Sequence, residues 1–241
     1  SGVGDLVLTC TGDLSRNRTL GKKVAAAVLI ICAFIFGVGL LRGEAPVLMF
    51  LTAVSLAVAA ILDDATNTFE SRLRQEALTD LLSLADTLRE KIQTDGYRLS
   101  LQEGEFTWGS NGAILNNAII LCLAHRYQPK PEYRQGAQDQ LQYILGRNPL
   151  SMCYVTGFGA HPPAHLSHPA TMAGSAATPI PGLLAGGPNQ FLNDNALAKM
   201  FTSASAPATV YLDSEESFSS NQATISWNAA LAYVAAFYSD L

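Results

Sequence analysis

Apolar residues recur at three- and four-residue steps over much of the chain that follows residue 70. The clearest stripe comprises Leu73, Ala77, Leu81, Ala85, Leu88 and Ile92, and Asp95-Gly96 ends it. This spacing predicts a helix from Glu70 to Lys91. Similar patterns predict helices over 112–126, 132–145 and 223–238, whereas strand-like alternation is nearly absent. The pattern therefore indicates an all-α protein.

Two apolar stretches near the start of the chain allow two interpretations. Residues 24–41 and 45–62 are each just long enough to span a membrane, and the short Arg-Gly-Glu link would make a tight hairpin. A pair of helices buried in a large helical core can also be apolar on all sides. Composition alone leaves both interpretations open.

A long loop predicted between Gly146 and about Asn195 contains most of the polar residues that could hold a ligand. It is rich in Gly, Pro, His and Asn and lacks the charge of a disordered segment, so we expect an ordered, ligand-facing loop. His161, His165 and His168 lie in this loop. Because prolines interrupt them and no Cys or carboxylate is adjacent, we predict contacts to a hydroxyl-rich ligand and no metal site.

Composition narrows the possible partners. The 241 residues include 15 basic and 20 acidic ones, giving a formal net charge of −5, and no basic cluster is present. We therefore predict no nucleic-acid binding. The four cysteines lack the CxxC spacing of a zinc site and are expected to be free and mostly buried.

Five sequence blocks, in this order, resemble the C-terminal part of family 9 glycoside hydrolases. They are FTWGSNGAILNNAII, LQYILGRNPLSMCYVTGFG, HPPAHLSHP, PIPGLLAGGPN and YLDSEESFSSNQATISWNAAL. The family consists mainly of cellulases built as an (α/α)6 barrel of helical hairpins. The resemblance implies that fold here. Because the part before residue 63 is far shorter than in the family, we expect either an incomplete barrel or a truncated product.

The resemblance also implies an interpretation of the first residues. Cys10-Thr11-Gly12-Asp13 resembles an altered form of the Asp-Ala-Gly-Asp motif that precedes the first barrel helix of the family. Residues 24–41 would then be a buried barrel helix, which weighs against the membrane hairpin. We expect residues 1–62 to be a degenerate N-terminal part and residues 63–241 to be the C-terminal part of a family 9 type catalytic domain.

The resemblance further implies the site residues. The catalytic base would be Asp13, and the position of the acid, a Glu in the family, is Gln222. Residues expected to bind substrate are Trp108, Tyr154, His165, His168 and Asn221. The family's His-His-Arg falls near Ser167, His168 and Pro169, so its Arg is absent. No cofactor is expected, although the family resemblance allows calcium.

These features lead to three functional hypotheses. The first is a secreted or periplasmic inverting endo-β-1,4-glucanase, impaired because Gln222 is an amide that is either engineered or a natural loss. The second is a non-catalytic relative that still binds β-1,4-glucan. The third is a membrane hairpin carrying a helical domain, so membrane anchoring stays open.

Overall fold

The computed structural model describes residues 59, 62–63, 71–168 and 179–239. The chain divides into two units, Ser1–Ala60 and Ile61–Leu241, and the helices below all belong to the second. The apolar stretch 24–41, almost all of 45–62 and the predicted base Asp13 lie outside the described residues. Within the described ranges, no helix combines the length and apolar character needed to cross a membrane.

Four long helices form the framework. They are α1 (Ser71–Thr94), α2 (Ser110–Tyr127), α3 (Pro131–Ile144) and α6 (Ile225–Ser239). Two short helices, α4 (Asn195–Met200) and α5 (Phe218–Asn221), and a 3-10 turn at Pro207–Thr209 interrupt the loops. The part of the chain that the structure describes contains isolated bridges and no extended strand. The prediction of an all-α fold is confirmed.

Helix α2 is the centre of this framework. Every residue from Ser110 to Ala124 is buried, because α1, α3 and α6 pack around it. The outer helices show the amphipathic pattern seen in the sequence: α1 buries Ala77, Leu81, Ala85, Leu88 and Ile92. The aliphatic side chains of the core thus specify which face of each helix turns inward.

The loops that join the helices lie at the two ends of this framework. A short link, Gln128–Lys130, joins α2 to α3 at one end. The long segments that precede α2 and α6 therefore meet at the opposite end, because α2 and α3 run in opposite directions. This end holds the described loop residues 145–168 and 179–194 and the start of α6.

Candidate active site

The glycine pair of the GGPN block is fixed between the start of α2 and the residues that precede α6. The backbone N–H of Asn111 donates to the Gly186 carbonyl (2.9 Å), and the Asn111 side chain donates to the Ala185 carbonyl (3.0 Å). On the other side, the Gly187 N–H donates to the Ser220 carbonyl (2.8 Å). A side chain at Gly187, whose φ is +93°, would overlap Asn111, so only glycine fits there. The backbone at Gly187 therefore approaches Asn111 closely.

Gln222 lies at the edge of this assembly. It follows α5 in an extended conformation (φ −74°, ψ 149°) and is half-buried. Ser167 forms a parallel bridge with it, and the Ser167 N–H donates to the Asn221 carbonyl (3.0 Å). Ser167, which precedes His168 in the chain, therefore lies directly beside Gln222.

Asn221 is buried next to Gln222 and connects neighbouring segments. It is fully buried, and its amide donates to the His165 carbonyl (2.6 Å), to Asp213 Oδ1 (3.1 Å) and to the Ser214 carbonyl (3.3 Å). The Tyr211 hydroxyl donates to its side-chain oxygen. With its hydrogen-bonding groups engaged by the protein, Asn221 is placed to position its neighbour Gln222 and not to touch a ligand.

Asp213 anchors the histidine loop, residues 161–168, to the same assembly. Its two carboxylate oxygens accept the backbone N–H groups of Ala164 (2.8 Å) and His165 (3.0 Å). Sequence reasoning missed this residue, since a single acid in a polar loop resembles an ordinary surface residue. Its place in the matched block YLDSEESFSSNQ was the available signal.

A second carboxylate, Asp194, organises α5. It is buried, caps α4 by accepting from the Leu197 N–H (2.7 Å), and accepts from the Ser219 N–H (2.9 Å) and the Ser217 hydroxyl (3.3 Å). These contacts hold the residues just before Gln222. Neither Asp194 nor Asp213 is free of backbone contacts, so both carboxylates are engaged in structure.

The other predicted binding residues divide into exposed and buried ones. Trp108 is 39% exposed and packs against Phe218 with 5.3 Å between ring centroids, which places it on the α5 side of the site. His165 is exposed and His168 is half-buried. Tyr154 is fully buried between Tyr143 and Tyr211. The prediction that Tyr154 contacts a ligand directly does not agree with this burial; the same holds for Asn221.

Burial also governs the titration of the tyrosines beneath the site. Desolvation raises the pKa of Tyr154 and of Tyr211 well above the ordinary value, and the nearby Asp213 raises that of Tyr211 further. Both hydroxyls therefore keep their protons at neutral pH. The Tyr211 proton remains in place to hold Asn221.

Neither the histidines nor the cysteines of the described part form a metal site. No group of three or more His, Cys, Asp or Glu residues in the described ranges is arranged to hold an ion. Cys122 and Cys153 are free and buried, as expected, and burial raises the pKa of the Cys122 thiol to about 12. These thiols have the character of core residues.

Comparison with known proteins identifies the family. The model described as Glycosyl hydrolase family 9 matches residues 41–235. The chain belongs to this family. It is 34% identical over 178 residues to a cellulose 1,4-beta-cellobiosidase of Acetivibrio thermocellus, and 34% identical over 172 residues to a xyloglucan-specific endo-beta-1,4-glucanase of Bacteroides ovatus.

These matches cover most of this chain but a minor part of each relative. The two alignments include 69% and 70% of this chain and only 20% and 29% of the relatives. The structure of AaCel9A in complex with cellobiose-like isofagomine aligns with a TM-score of 0.69 at 29% identity, over 75% of this chain and 35% of that one. The described helices of this family 9 chain thus correspond to part of an (α/α)6 barrel, which confirms the predicted fold class.

Residues 1–30 match a different family, described as Bacterial GPD, NAD-dependent C-terminal. Over 26 residues the chain is 77% identical to a glycerol-3-phosphate dehydrogenase of Nitratidesulfovibrio vulgaris, which is 8% of that relative. Asp13 lies within this match and outside residues 41–235. The dehydrogenase match therefore gives Cys10-Thr11-Gly12-Asp13 an explanation other than an altered cellulase motif.

Proposed function

We propose that this chain binds β-1,4-glucan at the end of the helical framework where Trp108, His165 and Gln222 lie, and that it does not hydrolyse it efficiently. The observation that carries the proposal is the amide of Gln222 at the family's acid position. An inverting glycosidase needs a carboxylic acid on the leaving oxygen and a carboxylate that activates water. An amide can donate a hydrogen bond but supplies no proton at neutral pH.

Several features support binding. Trp108 presents an exposed aromatic face, which suits the apolar face of a sugar ring. The neighbouring His165 is exposed, and its loop is fastened to the Gln222 segment by Asp213 and Asn221. A site held this firmly by the protein loses little entropy when a ligand binds.

The loss of hydrolysis rests on more than one position. Gln222 removes general acid help, which is typically worth a factor of about 10²–10⁴ in rate. Ser167 and Pro169 stand at two of the three positions of the family's His-His-Arg. The assignment of Asp13 as base competes with the dehydrogenase match of residues 1–30. We therefore favour the binding hypothesis over that of an impaired enzyme.

Three wider assignments follow the same proposal. We propose residues 63–241 as the C-terminal part of a family 9 type catalytic domain, with the glucan as its partner; the family match itself begins earlier, at residue 41. Relatives that act on polysaccharides outside the cell make a secreted or periplasmic location the corresponding proposal. We also propose that glucan binding at these residues needs no cofactor.

The decisive experiment restores the carboxyl group. We expect Gln222→Glu to leave hydrolysis of carboxymethylcellulose at background, because no carboxylate among the described residues is assigned as the base. Reducing-sugar release measures this result, and calorimetry with cellotetraose shows whether binding persists. A clear gain in Gln222→Glu that disappears in Gln222→Glu/Asp13→Asn would instead assign Asp13 as base and support the impaired enzyme.

A second measurement tests the binding surface. Trp108→Ala should weaken cellotetraose binding about ten-fold or more, because truncation of an aromatic contact at the centre of an interface typically costs more than about 1.4 kcal/mol. Tyr127→Ala, at the opposite end of α2, is the matched control and should bind as the unmodified chain does. Equal affinity in all three proteins would contradict the placement of the site.

A further inference from the structure

A cavity of about 360 Å³ lies beside the candidate site and shares none of its predicted residues. It opens between the end of α1, the segment from Asp95 to Phe106, α3 and the 3-10 turn at Pro207–Thr209. Its volume is at the lower end of the range of about 300–1,000 Å³ that small-molecule pockets occupy. The cavity is therefore large enough for a small ligand such as a disaccharide.

The wall of this cavity is fixed by specific contacts. Gln140 of α3 is fully buried; its side-chain oxygen accepts from the Ser100 N–H (2.8 Å), and its amide donates to the Arg98 carbonyl (3.0 Å). At the rim, Lys91 pairs with Glu105 at 2.8 Å. Glu105 also accepts from the Gln102 N–H (2.8 Å). The segment that lines the cavity is thus preorganised.

The lining combines an apolar floor with a polar rim. Leu99, Leu101 and Phe106 are buried, and the exposed ring of Tyr97 stands beside them. Asp95, Gln102 and Glu103 supply carboxylate and amide groups at the rim. Excess acidic charge disfavours an anionic ligand. An aromatic ring next to carboxylates and amides is the lining that suits the apolar faces and hydroxyl groups of a neutral sugar.

Tyr143 supplies a second, independent observation. It lines the cavity and is fully buried, yet its hydroxyl has no hydrogen-bond partner within the described part of the chain. Burial raises the pKa of Tyr143, and the charges of Asp95 and Tyr97 raise it further, so the hydroxyl keeps its proton at neutral pH. An unpaired buried hydroxyl costs free energy. The oxygen of Tyr143 is covered by the cavity lining, so a small shift of that lining brings a ligand hydroxyl within reach and recovers this free energy.

We propose that this cavity is a second saccharide-binding site, separate from the site at Trp108 and Gln222, in which Tyr143 and the rim residues Asp95, Gln102 and Glu103 bind the hydroxyl groups of a neutral mono- or disaccharide. The floor of Leu101 and Phe106 contacts the apolar face of the sugar. The proposal for this cavity concerns binding alone and includes no reaction.

The test uses the full chain and cellobiose as the probe. In a Trp108→Ala background, which weakens the other site, calorimetry should still detect cellobiose binding. Ala208→Trp, which places a large side chain in the cavity, should abolish that binding. Ala204→Trp is the matched control, because Ala204 is exposed and does not line the cavity; binding should persist in it.

A second variant tests the cavity independently, in case Ala208→Trp does not fold. Tyr143→Phe removes one oxygen and should weaken cellobiose binding about five-fold, the value of one hydrogen bond. Tyr154→Phe removes another unpartnered hydroxyl that does not line the cavity and should leave the affinity unchanged.

The outcomes distinguish this proposal from the one for the site at Trp108 and Gln222. Cellobiose binding that is absent in Trp108→Ala, or that is unchanged in both Ala208→Trp and Tyr143→Phe, overturns the second site. Binding that is unaffected by Trp108→Ala but abolished by Ala208→Trp supports the second site and overturns the placement of the first.

Discussion

Three buried tyrosines beneath the site differ in how their hydroxyl groups are used. Tyr143 and Tyr154 stack with 6.4 Å between ring centroids, and Tyr154 meets Tyr211 edge-on at 5.3 Å. The Tyr211 hydroxyl donates to Asn221, whereas those of Tyr143 and Tyr154 lack a partner among the described residues. Similar rings thus make different contributions to stability.

This difference predicts opposite effects of the same substitution. Tyr154→Phe removes an unsatisfied buried hydroxyl and should leave the free energy of unfolding unchanged or raise it by about 1 kcal/mol. Tyr211→Phe leaves Asn221 without its donor and should lower it by about 1–3 kcal/mol. Urea denaturation of the two variants measures both values. A marked loss of stability in Tyr154→Phe would indicate a partner for its hydroxyl.

Asp213 allows a second prediction at this scale. Asp213→Ala removes the acceptor of two backbone N–H groups in the histidine loop and should lower the free energy of unfolding by about 2 kcal/mol. It should also weaken cellotetraose binding, because His165 loses its fixed position. Glu215→Ala, at an exposed neighbour, is the control and should change neither quantity. Unaltered binding in Asp213→Ala would show that the histidine loop does not contribute to the binding site.

Helices α2 and α6 are in contact through glycine and tryptophan. The Trp227 ring of α6 occupies the space beside Gly112 of α2, and a methyl group at Gly112 would overlap it. Gly136 of α3 is different, since a methyl group there would lie 3.3 Å from the end of the Leu121 side chain, which can move slightly. Two helical glycines therefore differ in their tolerance of alanine.

We predict that Gly112→Ala destabilises the protein and that Gly136→Ala does not. Overpacking typically costs about 1–3 kcal/mol, while alanine in place of glycine gains about 1 kcal/mol within a helix. The net change in the free energy of unfolding should be a loss for Gly112→Ala and close to zero or a gain for Gly136→Ala. Thermal or urea denaturation decides between these outcomes; equal effects would show that Trp227 moves aside freely.

The four long helices were predictable because their periodicity is a local property. The predicted helices 112–126 and 132–145 differ by at most two residues at each end from α2 and α3. Burial in the loops was harder to predict, because it depends on partners that are distant in sequence. The family resemblance implied that Tyr154 and Asn221 contact a ligand, yet Tyr211 packs against Tyr154, and His165 and Asp213 are hydrogen-bonded to Asn221.

The sequence was also a limited guide to the site and its surroundings. The structure brings the GGPN block, the histidine loop and Gln222 together although they are far apart in sequence, and local patterns alone do not predict such contacts. The cavity at Tyr143 was not anticipated, since its lining comes from four separate segments with no shared motif. The interpretation of Asp13 rested on a short local likeness, which is the weakest kind of signal.

For the whole molecule, the buried tyrosines predict sensitivity to alkali. Burial raises the pKa of Tyr143, Tyr154 and Tyr211, so above about pH 10 the unfolded state loses protons that the folded state retains. The stability present below that pH should therefore fall as pH rises, by up to about 1.4 kcal/mol per pH unit for each tyrosine.

Urea denaturation at pH 8, 10 and 11 measures this decline. Tyr154→Phe removes one titrating group and should make the decline shallower, whereas replacement of a tyrosine that is only half-buried, Tyr233→Phe, should have a smaller effect. Stability that does not change between pH 8 and 11 would show that these hydroxyls are reached by water.

The hydrogen bonds that hold the site have a consequence for folding kinetics. They join residues far apart in sequence: 74 residues separate Asn111 from Ala185, and 56 separate His165 from Asn221. Loops of this length lose entropy when they close, so contacts between neighbouring helices should form first and these bonds afterwards. Weakening them, for instance with Asp213→Ala, should then accelerate unfolding and leave the refolding rate nearly unchanged, which stopped-flow measurements in urea would show as a shift of the unfolding arm alone.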